Sequence, residues 1–337
     1  MSEAPVPRPE VINRLRFTVD SAFAMIAGMQ LDVFTPLKDG PMNAQELARA
    51  IGVKSTRLHL LLNVLVVAGL LTEDDGKFAN TAEANHFLVK GSPSYMGNRH
   101  AAFAMRWNAY FKTAESIRSG APQAKLDFSN ARPAEMETFL RNINASTVLA
   151  ARALLEKIDF ASVNTLADVG GGVGGLAITI AKACPHIRAT AIDLPQVTPI
   201  AQKVVAEEGA ADRVSVASAD VVNESLPGRY DVAILRGFIQ VLSPDDARAA
   251  LQNIGSAINP GGRIYIIGQV LDDSYKAPLE AVGFNLTFLN LFDAGESYSE
   301  RQYREWLNDA GFTDIERADF LLADGSGLVS ARKRSTD

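Results

Sequence analysis

The sequence predicts an α/β protein in which a mainly helical N-terminal domain precedes a doubly wound, mostly parallel β-sheet. Two observations support this fold class. From residue 165 onward, short apolar β runs alternate with segments long enough for crossover helices, as in parallel sheets. Before residue 81, two apolar helical segments are followed by a hairpin whose turn reads Asp74-Asp75-Gly76, an order typical of a winged helix.

The composition is that of an acidic globular protein. The chain has 337 residues, of which 47% are hydrophobic and 21% charged, and its formal net charge is −6. This charge disfavours binding to nucleic acid or to an anionic membrane surface. The N-terminus lacks an apolar signal-peptide core, and no apolar run reaches the roughly 18–20 residues of a membrane span. We therefore expect a cytoplasmic protein.

The cysteine and histidine content limits which disulfide bonds and metal sites the chain can form. Cys184 is the only cysteine, so the chain cannot form an internal disulfide. The four histidines are scattered along the chain and do not form a ligand cluster with it. We expect no bound metal.

We expect the N-terminal domain to span residues 1–92. Apolar residues recur at helical spacing over Glu10–Gln30, which predicts the first helix. Asn43 can cap a second helix, and Ser55 a third that is dense in leucine and valine. The predicted elements after the first helix are helices Ala44–Ile51 and Thr56–Gly69 and strands Leu70–Glu73 and Lys77–Asn80.

Residues 93–160 are predicted to link the two domains and to border a substrate pocket. Two long helices are expected here, Tyr95–Ser119 and Pro133–Lys157, with a loop over Gly120–Arg132. Residues 161–337 then form the second domain. Its predicted strands are Thr165–Val169, Ala189–Ile192, Val214–Ala217, Val232–Leu235 and Arg263–Gly268.

The most informative segment is a glycine cluster, Gly170–Gly174, between the first strand of the sheet and a predicted helix, Leu176–Ala183. Glycines let the backbone turn tightly and let a ligand approach, and the N-terminus of the helix offers free N–H groups. Dinucleotide-binding proteins have such a turn too, so the turn alone is weak evidence.

Three acidic residues narrow the choice of ligand. Asp193 ends the second strand, where a carboxylate can accept hydrogen bonds from ribose hydroxyls. Asp220 ends the third strand, where it can accept from an adenine amino group. Asp168 precedes the glycines, where it would repel a pyrophosphate but attract the ammonium group of a methionine-type ligand.

The stretches Asp168–Gly174, Asp193-Leu194-Pro195 and Asp220-Val221 together resemble the S-adenosylmethionine (AdoMet) site of the plant-type and bacterial small-molecule O-methyltransferases. That family includes caffeate, acetylserotonin and polyketide-tailoring enzymes, and the resemblance covers nearly the whole chain. It implies a Rossmann-like AdoMet-dependent methyltransferase fold, a winged-helix dimerisation domain and a homodimer. The cofactor-binding residues that it implies, with AdoMet as the cofactor, are Asp168, Gly170, Gly171, Gly172, Asp193, Leu194, Asp220, Val221 and Arg236.

The chain departs from the family pattern at both catalytic positions. Relatives carry a histidine base after the fourth strand, in the pattern L-[KR]-x-x-x-H-D-W, and Gln240 occupies that position here. Glutamine can position a substrate but cannot take up a proton near neutral pH. Many relatives also carry a glutamate that orients the histidine, and Ser297 stands at that position here.

Three alternatives remain open at this stage. The enzyme could methylate an oxygen that is acidic enough to ionise without a base. It could instead methylate carbon on an electron-rich ring or tetrapyrrole, as in a branch acting on bacteriochlorophyll-type pigments that lacks the histidine. It could also have kept AdoMet for different chemistry.

The acceptor is expected to be a ring-containing secondary metabolite or pigment precursor. Phe284, Phe288 and Phe292 recur on one face of a predicted helix, a stripe that plain core packing also explains. The residues expected to line the acceptor pocket are His100, Trp107, Phe139, Ile143, Phe238 and Phe288.

Two other classes of function are less favoured. A winged helix can read DNA, but the helix over Thr56–Gly69 is too apolar for a recognition helix. A dehydrogenase could share the α/β architecture, but Asp168 disfavours a pyrophosphate at the glycine cluster.

Overall fold

The computed structural model describes residues 7–92, 94–125, 132–318 and 325–335. The chain forms two compact units, residues 1–108 and 109–337. The division falls within one helix of the linking segment, His100–Tyr110. The further boundary expected near residue 160 stays a prediction.

The first unit is a small helical domain with a three-stranded sheet. Its antiparallel strands have the order β1-β3-β2 and form the wing. Leu47, Leu62 and Leu65 are completely buried in its core. Its elements are helices α1 (Glu10–Leu31), α2 (Ala44–Ala50), α3 (Leu58–Val67), α4 (Ala82–Phe87) and most of α5 (His100–Tyr110), and strands β1 (Met42–Asn43), β2 (Leu71–Asp74) and β3 (Lys77–Asn80).

Local sequence signals fix two boundaries in this unit. The Asn43 side chain accepts from the backbone N–H groups of Gln45 and Glu46 at 2.9 and 3.0 Å, and the Glu46 carboxylate accepts from Asn43 N, which completes a capping box. At the wing, Asp75 and Gly76 both adopt positive φ, as a tight hairpin turn requires. The predicted helix-helix-hairpin order is confirmed.

The second unit contains a seven-stranded sheet with helices on both faces. The strand order is β11-β12-β8-β7-β4-β5-β6. The five strands from β8 to β6 run parallel to one another, and β12 runs antiparallel to both of its neighbours, β8 and β11. The helices are α6 (Thr113–Ser119), α7 (Pro133–Lys157), α8 (Gly175–Ala183), α9 (Thr198–Glu207), α10 (Pro244–Ala257), α11 (Leu279–Leu291) and α12 (Glu300–Asp309). The strands are β4 (Thr165–Val169), β5 (Arg188–Asp193), β6 (Val214–Ser218), β7 (Tyr230–Arg236), β8 (Ile258–Gly268), β11 (Phe312–Ala318) and β12 (Gly327–Lys333), with a separate parallel pair, β9 (Val270–Leu271) and β10 (Tyr298–Ser299).

The sheet topology places a ligand site at the end of β4. Chain order reverses there, because β5 and β6 lie on one side of β4 while β7 and β8 lie on the other. In open α/β sheets, ligands bind at the carboxyl ends of the strands beside such a reversal. The glycine cluster follows β4 directly.

One helical prediction is wrong in its extent. The segment Tyr95–Ser119, expected as a single helix, forms a 3₁₀ turn over Gly97–Arg99 and then α5 and α6. The break between α5 and α6 follows Tyr110, whose carbonyl accepts from the Thr113 hydroxyl at 2.7 Å. Part of the expected loop, residues 126–131, lies outside the described residues.

Candidate active site

The glycine turn, residues Gly170–Gly174, brings backbone close to other groups at the carboxyl end of β4. Gly170 and Gly172 adopt positive φ, which other residues rarely tolerate. A Cβ on Gly171 would lie 2.9 Å from the Asp168 carboxyl carbon. The turn therefore depends on residues without side chains, and its backbone stays accessible to a ligand.

Asp168 is a buried carboxylate beneath this turn. Only 2% of the residue is exposed, and one carboxylate oxygen accepts from Ala177 N in the first turn of α8, at 3.0 Å. Burial raises the pKa of Asp168 to about 7, while the Ala177 hydrogen bond and the Arg236 charge oppose the rise and the Asp193 charge adds to it. A cationic ligand group at this carboxylate would favour its charged form.

Asp193 ties the end of β5 to the glycine turn. Its two carboxylate oxygens accept from Gly172 N at 2.8 Å and from Leu194 N at 2.7 Å. Burial raises the pKa of Asp193, and these two backbone bonds act against the rise. Leu194 is 39% exposed beside it, available to cover a ligand.

Asp220 follows β6 along the same edge of the sheet. Its carboxylate accepts from Val222 N at 3.2 Å and from the Asn223 amide at 2.8 Å, while Val221 is buried. Asp168, Asp193 and Asp220 thus follow the order of β4, β5 and β6 across the sheet. This spacing suits one elongated ligand with several polar groups.

A cavity of about 60 Å³ lies between α7 and the glycine turn. It contains both a carboxylate, Asp168, and a guanidinium, Arg236, and Arg236 also donates to the Thr147 hydroxyl at 3.4 Å. Opposite charges of this kind match the ammonium and carboxylate of an amino acid, so the residues present fit the methionine end of AdoMet. The cavity is lined by Leu140, Ile143, Asn144, Thr147, Asp168, Gly170, Gly171, Gly172, Val173 and Arg236.

The two positions that the resemblance identifies as catalytic, Gln240 and Ser297, are buried. Gln240 is 1% exposed, and its amide nitrogen donates to the Tyr303 hydroxyl at 2.7 Å. The Ser297 hydroxyl donates to the Ala281 carbonyl at 2.9 Å, and its backbone N–H to the Asn285 side chain at 2.7 Å. Among the described residues, no hydrogen bond joins Gln240 to Ser297.

The structure brings together some of the expected acceptor-pocket residues. Ile143 lines the cavity, and the Phe238 ring lies over Gly170, since a Cβ there would be 2.7 Å from Phe238 Cδ2. Phe139 packs against the core around α7 and α8. Phe288 is buried between Phe284 and Phe292, at centroid distances of 5.3 and 6.0 Å.

His100 and Trp107 belong to the first unit. His100 Nδ1 lies 2.9 Å from the Gly97 carbonyl, and the Trp107 ring meets Phe23 edge-on at 5.4 Å. Their role in binding an acceptor stays a prediction.

Sequence reasoning missed Asn144, Thr147 and Tyr303. Asn144 and Thr147 follow Leu140 and Ile143 at helical spacing on α7, so the helical periodicity could have indicated them. Nothing in the sequence indicates Tyr303, because its contact with Gln240 joins residues far apart in the chain.

A larger cavity of about 550 Å³ lies where α7 and α8 end, near Cys184 and His186. These residues precede β5 and so lie at the amino ends of the parallel strands, the edge opposite the one where ligands bind in such sheets. In the described part of the chain, no three or more Asp, Glu, His or Cys side chains are placed to hold a metal ion. No helix there is long and apolar enough to cross a membrane.

Comparison with known proteins assigns the family. An O-methyltransferase domain matches residues 110–313, and an O-methyltransferase dimerisation domain matches residues 17–90. The chain belongs to the O-methyltransferase family. As a member of this family it is an AdoMet-dependent methyltransferase with a dimerisation domain, which confirms the predicted fold class, enzyme class and cofactor.

Relatives of this O-methyltransferase family member act on different atoms. The 3-hydroxy-5-methyl-1-naphthoate 3-O-methyltransferase of Streptomyces sahachiroi is 28% identical over 331 residues, 96% of this chain and 95% of that protein. The L-tyrosine C(3)-methyltransferase of Streptomyces lavendulae is 26% identical over 330 residues, 93% and 90% of the two chains. Human N-acetylserotonin methyltransferase in complex with SAM has the same fold, with a TM-score of 0.80 at 22% identity over 99% of this chain and 100% of that one.

Proposed function

We propose that the enzyme transfers a methyl group from AdoMet to a hydroxyl group on a ring-containing small molecule, without a side-chain base. The observation that carries this proposal is the position of Gln240, which stands where relatives carry the histidine and is bonded to Tyr303. The second unit contains one histidine, His186, and that residue lines the cavity at the opposite edge of the sheet. No histidine of this unit is therefore available as a base.

The cofactor is held by the acidic edge of the sheet. In this proposal Asp168 meets the ammonium group, Arg236 the methionine carboxylate, Asp193 the ribose hydroxyls and Asp220 with Val221 the adenine. AdoMet supplies an electrophilic methyl group when bound. The glycine turn contributes a backbone surface, Gly170, Gly171 and Gly172, against which the methionine end can lie.

Acceptor binding replaces base catalysis in this proposal. A phenolic hydroxyl on a ring system with electron-withdrawing groups can release its proton to solvent before the acceptor is enclosed, so orientation of the phenolate toward the methyl group suffices. The aromatic side chains of the second unit support a flat acceptor, since Phe238 covers the glycine turn and Phe284, Phe288 and Phe292 form a continuous cluster.

Methylation of a ring carbon is the second candidate. The absence of a histidine base at position 240 favours it, and the L-tyrosine C(3)-methyltransferase shows that relatives of this chain include a carbon-methylating enzyme. An electron-rich ring would then supply the nucleophilic carbon itself.

Transfer of a ¹³C-labelled methyl group from AdoMet tests the choice of atom. Hydroxylated naphthoic acids, anthraquinones and simple phenols would be offered in turn, and the labelled products examined by NMR. We expect the label on oxygen. A label on carbon would replace the proposal by the second candidate, and no transfer to any ring compound would contradict both.

We also propose that the enzyme is a homodimer that uses α1. The matched dimerisation domain begins within this helix, at residue 17, and the helix leaves large apolar side chains exposed along its length. Exposed apolar surface of this extent is typical of a protein interface. These residues are Val11, Ile12, Leu15, Phe17, Val19 and Phe23.

A further inference from the structure

The segment that follows β7, residues 237–242, is fixed at several points. It begins with Gly237, whose N–H donates to the Ile267 carbonyl at 2.9 Å. It ends at Leu242, whose carbonyl accepts from the Tyr298 hydroxyl at 2.5 Å. Between these points it carries Phe238 and Gln240, so the placement of both side chains depends on how firmly this segment is held.

Gln240 is the central anchor of the segment. Its amide nitrogen donates to the hydroxyl of Tyr303, which is completely buried on α12. The Tyr303 ring packs edge-on against Tyr298 and Trp306, at centroid distances of 6.4 and 6.0 Å. Burial raises the pKa of the Tyr303 phenol, so the phenol stays protonated at any working pH. The bond therefore does not titrate.

Two glycines leave the room that this arrangement needs. A Cβ on Gly268, at the end of β8, would overlap the Gln240 amide. A Cβ on Gly295 would overlap the backbone carbonyl of Gln240. The space around residue 240 is thus shaped for an amide that points into the core.

The other end of the same segment meets the cofactor site. The Phe238 ring lies against Gly170, in the glycine turn that lines the cavity with Asp168 and Arg236. Phe238 and Gln240 are two residues apart, and the short 3₁₀ turn Ile239–Val241 connects them. A shift of the anchor would therefore move the ring.

We propose that Gln240 is a positioning residue which, through its bond to Tyr303, holds the Phe238 ring against the glycine turn. Position 240 in this chain thus acts on the wall of the active site rather than on the acceptor. The inference rests on the proposed function only for its effect on turnover, since the anchoring itself can be measured without an acceptor.

Hydrogen exchange measured by mass spectrometry tests the anchoring directly. Tyr303→Phe leaves the buried Gln240 amide without its partner, so we expect peptides covering residues 237–242 to exchange about tenfold faster. The matched control is Tyr230→Phe, which removes another largely buried phenol that donates to the Pro227 carbonyl at 2.6 Å. Equal exchange in residues 237–242 for both variants would overturn the proposal.

Replacing both partners provides a second test. Tyr303→Phe alone should lower kcat more than it raises the Kd for S-adenosylhomocysteine. In Gln240→Met with Tyr303→Phe no buried polar group is stranded, so the combined loss of exchange protection and turnover should be smaller than the sum of the losses in the two single variants. Additive losses in the double variant would contradict the coupling.

The Gln240→His variant separates positioning from contact with the acceptor. A histidine at this anchor is expected to add no new inflection to the pH profile of kcat, because the position faces Tyr303. A new inflection near the histidine pKa would show that residue 240 reaches the acceptor. Failure of the oxygen-methylation proposal would appear instead as label on carbon, with the exchange results unchanged.

Discussion

At the scale of single residues, Asp168 is a carboxylate whose charge is poorly compensated in the free chain. It is buried under the glycine turn, accepts one backbone hydrogen bond from Ala177 N, and shares its surroundings with Asp193 and Arg236. Its pKa of about 7 lies above the ordinary value of 3.8, chiefly because of burial. The folded chain therefore binds this proton more tightly than the unfolded chain does. The stabilisation that results is complete below pH 4 and is lost as the pH rises through 7.

Cofactor affinity should show the opposite dependence on pH. If Asp168 meets the ammonium group of AdoMet, binding favours the carboxylate, so affinity should rise as the pH increases through about 7. Below pH 7, binding should release a proton. Calorimetric titrations in buffers of different ionisation enthalpy measure this release. Asp168→Asn should bind more weakly and release less than the wild type, and unchanged proton release in that variant would rule out Asp168 as the source.

Asp193→Ala should weaken AdoMet binding. The carboxylate holds Gly172 N and Leu194 N and, in our proposal, the ribose hydroxyls, so its loss should raise the Kd about tenfold to a hundredfold, as expected for charge-assisted hydrogen bonds. The control is Asp212→Ala, which removes an exposed carboxylate at the opposite edge of the sheet, where Asp212 pairs with Arg213. Equal affinities in the two variants would argue against the ribose role.

At position 240, the residue type could be interpreted from the sequence but the direction of the side chain could not. That position 240 lacks a base follows from comparing Gln240 with the family pattern. The direction of its side chain does not follow, because it depends on the space left by Gly268 and on a hydroxyl from Tyr303, both distant in sequence. Periodicity and motif spacing carry no information about such tertiary contacts.

At the scale of elements, α7 forms one wall of the cavity that we propose for the cofactor. Its residues Leu140, Ile143, Asn144 and Thr147 line the cavity opposite the glycine turn. The helix is also linked to α9 by ion pairs of Glu137 with Lys203 at 2.7 Å and of Arg141 with Glu207 at 2.7 Å. These pairs are solvent-exposed and stabilise the contact only weakly. Packing against α8 therefore matters more.

Gly175→Ala should disturb this packing. Gly175 begins α8, where alanine would ordinarily favour the helix, but a Cβ would overlap the Asn144 side chain of α7. Overpacking of this kind costs about 1–3 kcal/mol in the free energy of unfolding. Thermal denaturation should show a lower Tm for Gly175→Ala and recovery in Gly175→Ala with Asn144→Ala. A single variant as stable as the wild type would mean that Asn144 moves aside freely.

Helices and strands could be predicted from the sequence where the pattern of apolar residues was regular. All five predicted strands of the sheet appear, because apolar runs bounded by turns repeat along the chain, and α7 has the predicted bounds. The antiparallel pair of strands β11 and β12 was missed. β11 carries charged residues at alternate positions, such as Asp314 and Glu316, and lies at the edge of the sheet, where the apolar signal is weak.

At the scale of the whole molecule, the two units have different tasks. The second unit contains the matched O-methyltransferase domain, and the first carries the matched dimerisation domain. The boundary between the two units could not be predicted from the amino-acid composition, because it falls within α5, where the composition does not change.

Charge on α1 should break the proposed homodimer. Leu15→Asp with Phe17→Asp places two carboxylates on the exposed apolar surface of this helix, and light scattering after size exclusion should then give the monomer mass. The control is Leu279→Asp, which places a carboxylate on a leucine position of the second unit that is 80% exposed. A wild-type chain that elutes as a monomer would contradict the dimer.

The most direct test of base-free methylation is the pH dependence of kcat/KM for a series of phenolic acceptors with graded pKa values. If no side chain takes the proton, the inflection in each profile should follow the pKa of the acceptor. AdoMet is kept saturating at every pH, so that the titration of Asp168 does not enter the profile. An inflection that then stays at one pH for every acceptor would reveal a base on the protein and contradict the account.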